Sequence, residues 1–260
     1  MGKRSRINRM KQITSPSAPM VNSADLSSGL ETEALFGEDI TICDDSRADW
    51  VHIRLETDQY LAWIERRHLG VLPTPTHRIC TIRALITSGR NIKTPTMGYL
   101  PLAARVHVIE QSEHVAKIAL GQDRTGYIPS DHIKPLDDFC ADWVATAEQL
   151  IGVPYRWGGR DSMGMDCSAL VQLAMASGGM ASPRNSGDQE KTLGSTLPPD
   201  ADLMRGDLIF WRGHIGIMQD HRHLIHANAW HHMVMSENLD TAIQRIKANN
   251  GGDVTRLVRL

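Results

Sequence analysis

The stretch Val153-Pro154-Tyr155-Arg156-Trp157-Gly158-Gly159, followed by Met165-Asp166-Cys167-Ser168-Ala169-Leu170-Val171, decides the fold. A glycine-rich loop runs into a cysteine, and the cysteine opens an apolar segment. Ala169, Leu170, Leu173 and Ala174 recur at helical spacing. Asp166 or Ser168 suits the N-cap, because either side chain accepts from an orphan backbone N–H. Gly178-Gly179 then supplies a stop. A helix N-terminus favours negative charge, and the thiolate is the reactive form of cysteine, so the pattern suits a nucleophile. Taken alone, a cysteine fits a buried structural role better, since free Cys is among the most buried residue types. The rest of the chain has to decide between the two.

A cysteine nucleophile needs a base, and the base needs an orienting group. Twelve histidines make presence alone uninformative. Two short apolar runs narrow the choice: His214-Ile-Gly-Ile-Met218 and His223-Leu-Ile-His-Ala227 read as strands. A hairpin with a three-residue loop centred on Asp220 would set His214 directly opposite His226, with Cβ atoms roughly 4.5–5.5 Å apart. Both would then face the cysteine helix. His221, His223, His231 and His232 fall in turns or on the other face and read as surface residues, as do the histidines nearer the N-terminus. No pair of cysteines and no H-x-x-x-H or H-E-x-x-H on a helix supports zinc, so neither a metal nor any other cofactor is expected.

Outward toward the N-terminus the signals are short and strand-like. Trp50-Val-His-Ile-Arg-Leu55 alternates with the period of a half-buried strand, and Ile40-Thr-Ile-Cys43 and Gln59-Tyr-Leu-Ala-Trp-Ile64 flank it across polar turns. Pro73 and Pro75 mark a junction. A second series follows through Arg105-Val-His-Val-Ile-Glu110, His114 to Leu120 and Thr125-Gly-Tyr-Ile-Pro129. The two series end alike, on an aromatic-aliphatic pair and then a short polar turn, as a weak internal repeat would. Both resemble bacterial SH3-like domains. From Asp137 to Ile151, Phe139, Trp143, Ala147 and Leu150 fall near one helical face, which predicts an amphipathic helix there. The expected boundaries are a flexible tail over 1–30, SH3-like units over 31–75 and 76–137, and a C-terminal domain over 138–260.

With 41% hydrophobic and 22% charged residues, the composition is that of an ordinary soluble protein. A net charge of −2 gives no bulk attraction to nucleic acid or to an anionic membrane, and neither is expected as a partner. The basic N-terminus leads into no apolar run of the kind a secretory signal needs. Four scattered cysteines with no C-x-x-C spacing fit free thiols in a reducing compartment. Cytoplasmic localisation is the expectation. Nothing in the chain indicates an oligomeric state.

Six motifs occur in order: Tyr155-x-Trp157-Gly158-Gly159, Asp166-Cys167-Ser168-x-Leu170-Val171, Pro183-Arg184-x-Ser186-x-x-Gln189, Gly206-Asp207-Leu208-Ile209-Phe210, His214-Ile215-Gly216-Ile217 and Ile225-His226-Ala227. Together they resemble the NlpC family of bacterial cell-wall cysteine peptidases. The resemblance implies an α+β architecture: a papain-like C-terminal domain, in which a helix bearing the cysteine packs on an antiparallel sheet, preceded by two small SH3-like β-barrels. Ala169 stands where many members have Gly, a small change on a helix.

The same resemblance implies roles. Cys167 would attack the amide carbon, His214 would act as base and then acid, and His226 would hold the His214 ring. The Cys167 N–H would help stabilise the oxyanion. Tyr155 would lie beside the thiol, and Asp166, Ser168 and Ser186 would contact substrate, although Asp166 and Ser168 also suit plain capping. Arg184 either pairs with a carboxylate or is a solvated loop residue. Members with two SH3-like units resemble γ-D-glutamyl-L-diamino acid endopeptidases of the dipeptidyl-peptidase VI type, which act on short murein-derived peptides with a free N-terminal L-alanine. An acidic residue would then meet the amine; the sequence does not place it, and Asp166 is no more than one candidate. The alternatives are a secreted wall hydrolase using its SH3-like units as anchors, a non-catalytic wall-binding or interaction protein, and an acyl or amide transferase on the same Cys–His pair.

Overall fold

The structure, a computed structural model, describes residues 11–260. Two small β-structures precede an α+β domain. In the first, strands run in the spatial order Leu30–Leu35, Ser17–Val21, Leu61–Glu65, Trp50–Leu55, Asp39–Asp44, Lys11–Ile13 and Leu69–Gly70. The alternation read in the sequence is the one observed: Val51, Ile53 and Leu55 point inward, against Ile13, Met20 and Ile64.

The expected tail is corrected here. Residues 1–10 lie outside the described residues, but Lys11–Ile13 and Ser17–Val21 are strands of the first barrel. Lys11–Ile13 lies between two neighbours, pairing with Asp39–Ile40 on one side and Leu69–Gly70 on the other. Ile13, Ala18 and Met20 are fully buried. Their period-two pattern is diluted by Ser, Pro and Asn, which is why the composition suggested a loop.

The second β-structure combines a five-stranded sheet with a three-stranded one built from Arg105–Val106, His77–Ile79 and Ile133–Pro135. Phe36 leaves the first barrel to pack in the core of the second, beside Ile79, Leu100 and Ile128. Gly37 makes that approach possible: it has φ of +78°, and a Cβ there would meet the Arg105 carbonyl oxygen at 2.0 Å.

The C-terminal domain holds a six-stranded antiparallel sheet in the order Ser195–Thr196, Arg256–Arg259, Leu208–Trp211, His214–Met218, His223–Asn228 and Met233–Asn238. Its helices are α1 (Val144–Gln149), α2 (Cys167–Ser177), α3 (Ser186–Thr192) and α4 (Leu239–Ala248). Strand alternation splits the sheet's side chains between two layers. Leu208, Phe210, Ile215, Ile217, Ile225 and Ala227 pack with α2, while Ile209, Trp211, Met218 and Leu224 pack with α4. Helix α1 is shorter than the helix expected over 137–151. The Arg78 guanidinium, reaching in from the second barrel, donates to the carbonyls of Pro135, Leu136 and Asp138. The Cys140 N–H is also engaged elsewhere, donating to the Ser177 carbonyl of α2 at 2.8 Å, so the 138–140 backbone is held in tertiary contacts and α1 begins only after Trp143. Among the described residues, no helix is long and apolar enough to cross a membrane.

Candidate active site

Cys167 is the first residue of α2. Asp166 is the N-cap, its Oδ1 accepting from the Ala169 N–H at 2.8 Å. The Cys167 N–H, at the first helical position, has no intrahelical acceptor and is free to meet an oxyanion. Burial and then the Asp166 carboxylate push the thiol up to about 12, outweighing the Ile215 N–H, Arg184 and the helix N-terminus, which favour the thiolate. The resting side chain is a neutral thiol, not the thiolate that the helix position alone suggested.

His214 and His226 meet as expected, but not by the expected register. The hairpin pairs Ile217 with Ile225 and Met218 with Leu224, two residues out of step with the sequence reading. His226 is therefore diagonal to His214, not opposite it. A slip of two keeps both histidines on one face, where a slip of one would have separated them. Their rings lie 5.0 Å apart between centroids, with His214 Nε2 2.8 Å from His226 Nδ1. They also do not point straight at the cysteine helix: they share strand parity with Met218 and Leu224, on the α4 layer. His214 is the first residue of its strand. Gly213 lines the cavity at Cys167, and the Ile215 N–H is oriented toward the thiol, so His214 is bracketed by two residues of the cysteine site.

Beyond His226 lies a carboxylate the sequence reading missed. His226 Nε2 is 2.6 Å from Glu237 Oε1, and Arg245 of α4 holds the same oxygen. Burial pushes Glu237 up, but His226 and Arg245 win and hold it down to about 2. The carboxylate is ionised and accepts only, so His226 donates from Nε2 and its Nδ1 is bare. His214 then donates from Nε2, and its own lone pair sits on Nδ1. Burial lowers His214 to about 3, with His226 and Arg245 acting in the same direction, so its ring is neutral near pH 7. A neutral ring with a bare nitrogen has the form that a general base for a neutral thiol requires. His226, His231 and Glu237 also lie within 4.8 Å of one another by their donor atoms. The Arg245 guanidinium puts a positive charge on that cluster, which opposes a cation there.

A cavity of about 320 Å³ opens at Cys167, lined by Glu31, Tyr60, Trp157, Asp166, Ser168, Asn185, Ser186 and Gly213. Asp166, Ser168 and Ser186 are thus at the cavity, but Asp166 is fully engaged. Oδ1 accepts from Ala169, Ser168 and Arg184, and Oδ2 from Gly158 and Arg184. Arg184 is buried and also donates to Thr32 of the first barrel, which decides between the two readings of that residue. Tyr155 lies close enough to the thiol that a Cys167 charge, after burial, raises its hydroxyl pKa. The outer wall comes from the first SH3-like unit, as the resemblance implied, through residues that the sequence did not single out. Glu31 and Tyr60 come from the first barrel, with the Tyr60 hydroxyl donating to Glu31 Oε2 at 3.0 Å. Glu31 precedes Cys167 by more than half the chain, and no motif spacing connects them. The one local hint is Glu31 and Glu33 at the two-residue spacing of a strand face.

Comparison with known proteins agrees with this geometry. Residues 152–248 match the NlpC/P60 family, and residues 20–69 match the bacterial dipeptidyl-peptidase SH3 domain. The chain is 24% identical to dipeptidyl-peptidase 6 of Lysinibacillus sphaericus, covering 83% of this chain and 86% of that one. It is 26% identical to a γ-D-glutamyl-L-lysine dipeptidyl-peptidase of Bacillus subtilis, over 70% of this chain and 64% of that longer protein. A crystal structure of an NlpC/P60 family protein from Bacillus cereus superposes with a TM-score of 0.82 at 18% identity, over 96% of this chain and 99% of that one, and so shares its fold. With Cys167 opening a helix on a papain-like sheet and an SH3 domain ahead of it, the chain belongs to the NlpC/P60 family of cysteine peptidases.

Proposed function

We propose that this peptidoglycan peptidase hydrolyses the γ-D-glutamyl–diamino acid bond of short murein peptides that carry a free N-terminal L-alanine. One observation supports the reading above the rest: Glu31 and Tyr60 of the first barrel wall the cavity at Cys167. A cavity of about 320 Å³ with the Glu31 carboxylate in its wall suits a dipeptide with a positive end. Glu31 takes the role of the acidic residue facing the amine, because the Asp166 oxygens are already occupied.

Chemistry follows from the resting state. The Cys167 sulfur attacks the amide carbon as its proton passes to His214 Nδ1. The oxyanion draws on the Cys167 N–H, a type of contact whose loss costs about 10²–10³ in rate. Collapse breaks the C–N bond, and His214 returns the proton to the leaving amine. Water then attacks the thioester, giving a proton to His214 and regenerating the thiol.

The test is hydrolysis of L-Ala-γ-D-Glu-diaminopimelate and of its N-acetylated form by wild type and by Cys167→Ala. Release of L-Ala-γ-D-Glu by wild type only, with the blocked peptide spared, supports both the reaction and the amine requirement. Equal cleavage of both peptides removes the amine requirement. No cleavage of either sinks the substrate assignment. We further propose a cytoplasmic recycling role; the unpaired state of all four cysteines fits a reducing compartment. Cell fractionation tests it, and recovery from the envelope or medium would point to wall hydrolysis instead.

A further inference from the structure

We propose that Glu237, anchored by Arg245, is a positioning residue for catalysis: it fixes the tautomer of His226 and, through it, leaves the basic lone pair of His214 on Nδ1. The inference rests on reading His214 as the base for Cys167, and it adds a fourth and fifth side chain to the cysteine and two histidines.

The geometry is a single file of contacts. His214 Nε2 lies 2.8 Å from His226 Nδ1, and His226 Nε2 lies 2.6 Å from Glu237 Oε1. Arg245 donates to the same Glu237 oxygen, and its guanidinium sits 5.8 Å from the centre of the Trp230 ring. Two neutral imidazoles in contact can be written in either direction, with His214 donating to His226 or the reverse. Only the first leaves His214 able to take a proton at Nδ1. The pair itself contains nothing that chooses. A carboxylate at the far end does, because it can only accept, and that forces Nε2–H on His226 and a bare Nδ1. His226 is fully buried, so no water competes for the choice.

The charged and titratable groups facing His226 are Glu237 on the adjacent strand, Arg245 on α4, His231 in the loop between the two strands, and His214. Glu237 is the only one that favours an imidazolium. When the thiol proton arrives on His214 Nδ1, the cation donates to His226, and His226 donates to Glu237. The proton stays on His214 throughout. Arg245 keeps Glu237 ionised and stops the carboxylate from turning away. Glu237 touches neither the thiol nor the cavity.

Two measurements test this. Long-range proton–nitrogen correlation spectra of the ¹⁵N-histidine-labelled protein, assigned with His214→Gln and His226→Asn, read the tautomers without any substrate. The expected result is Nε2–H on both residues at pH 7; Nδ1–H on His226 overturns the proposal. Kinetics on the peptide above supply the second readout. Glu237→Ala is expected to lower kcat at least tenfold with KM within twofold of wild type. Glu237→Gln, whose amide oxygen can still accept from His226, is expected to regain most of that loss. Wild-type kcat in Glu237→Ala, with Cys167→Ala and His214→Gln inactive, overturns the role of Glu237 alone. Activity surviving in Cys167→Ala overturns the reading beneath it. If Glu237→Ala does not fold, the spectra and Glu237→Gln decide: a Gln variant with His226 redistributed to Nδ1–H and full kcat is a negative result.

Discussion

Arg160 of the catalytic domain and Glu38 of the first barrel form a buried bidentate pair, with guanidinium nitrogens 2.8–3.0 Å from both carboxylate oxygens. Each side chain is 3% exposed. The same arginine donates through Nε to Gln172 of α2, so one side chain ties the barrel to the helix that carries Cys167. Removing one partner of such a pair leaves an uncompensated buried charge, at a cost of about 3–5 kcal/mol. Glu38→Ala is therefore expected to lower the melting temperature by roughly 6–20 °C, at roughly 2–4 °C per kcal/mol for a chain of this size. The double variant Glu38→Leu/Arg160→Met is expected to recover much of that loss, because it removes both charges. Calorimetry of the three proteins checks this; equal melting of Glu38→Ala and wild type would refute it.

Glu31→Gln keeps the shape of the outer wall and removes its charge. A hydrogen bond to a charged group is worth about 1.5–3 kcal/mol, roughly ten- to a hundred-fold in kcat/KM. That loss is expected with the free-amine peptide, and no further loss with the N-acetylated one. Steady-state kinetics on the two peptides measure it. A parallel fall with both would assign Glu31 a structural role.

Acid should destabilise the fold before any carboxylate titrates. Burial lowers the pKa of His68, His77, His214 and His226 from 6.5, His214 to about 3. The unfolded chain then binds protons first, so stability is complete above about 6.5 and falls as pH drops toward the folded values. Melting temperature is expected to fall steadily from pH 7 to 5, with a shallower slope in His214→Gln. Identical slopes would mean that His214 is not held neutral in the folded state.

Gly158→Ala should loosen the domain contact at the cavity. Gly158 has φ of +72°, and a Cβ there would meet the Leu30 carbonyl oxygen of the first barrel at 2.7 Å. The residue also donates to Asp166 Oδ2 at 3.1 Å. Backbone cannot yield as a flexible side chain can, so the barrel must shift away from Cys167. Lower kcat/KM with the free-amine peptide, and faster limited proteolysis between barrel and domain, are the expected results. Unchanged proteolysis and kinetics would count against a tight fit there.

The parts legible in the sequence were those whose information is local. The α2 start could be read because a cap, an apolar period and a glycine stop all fall within a dozen residues. The face shared by His214 and His226 survived a wrong register because parity, not pairing, decides it. Segments failed where a distant group changed local preference. Arg78 and the Ser177 carbonyl hold the 138–140 backbone that a longer α1 needed. The strands before residue 30 read as a tail because their few buried positions sit among turn-forming residues.

By itself, then, the amino-acid sequence determined a helix opening on Cys167, two histidines on one sheet face and β-rich units ahead of them. Periodicity and capping are properties of neighbouring residues, and need no partner to be read. Only the tertiary structure decided that Glu31 and Tyr60 wall the cavity, that Asp166 is spent on Arg184, and that Glu237 stands behind His226. Those contacts join elements far apart in the chain, and their direction depends on packing. The same packing raised the thiol and lowered His214, because burial outweighed the helix N-terminus that the sequence had put first.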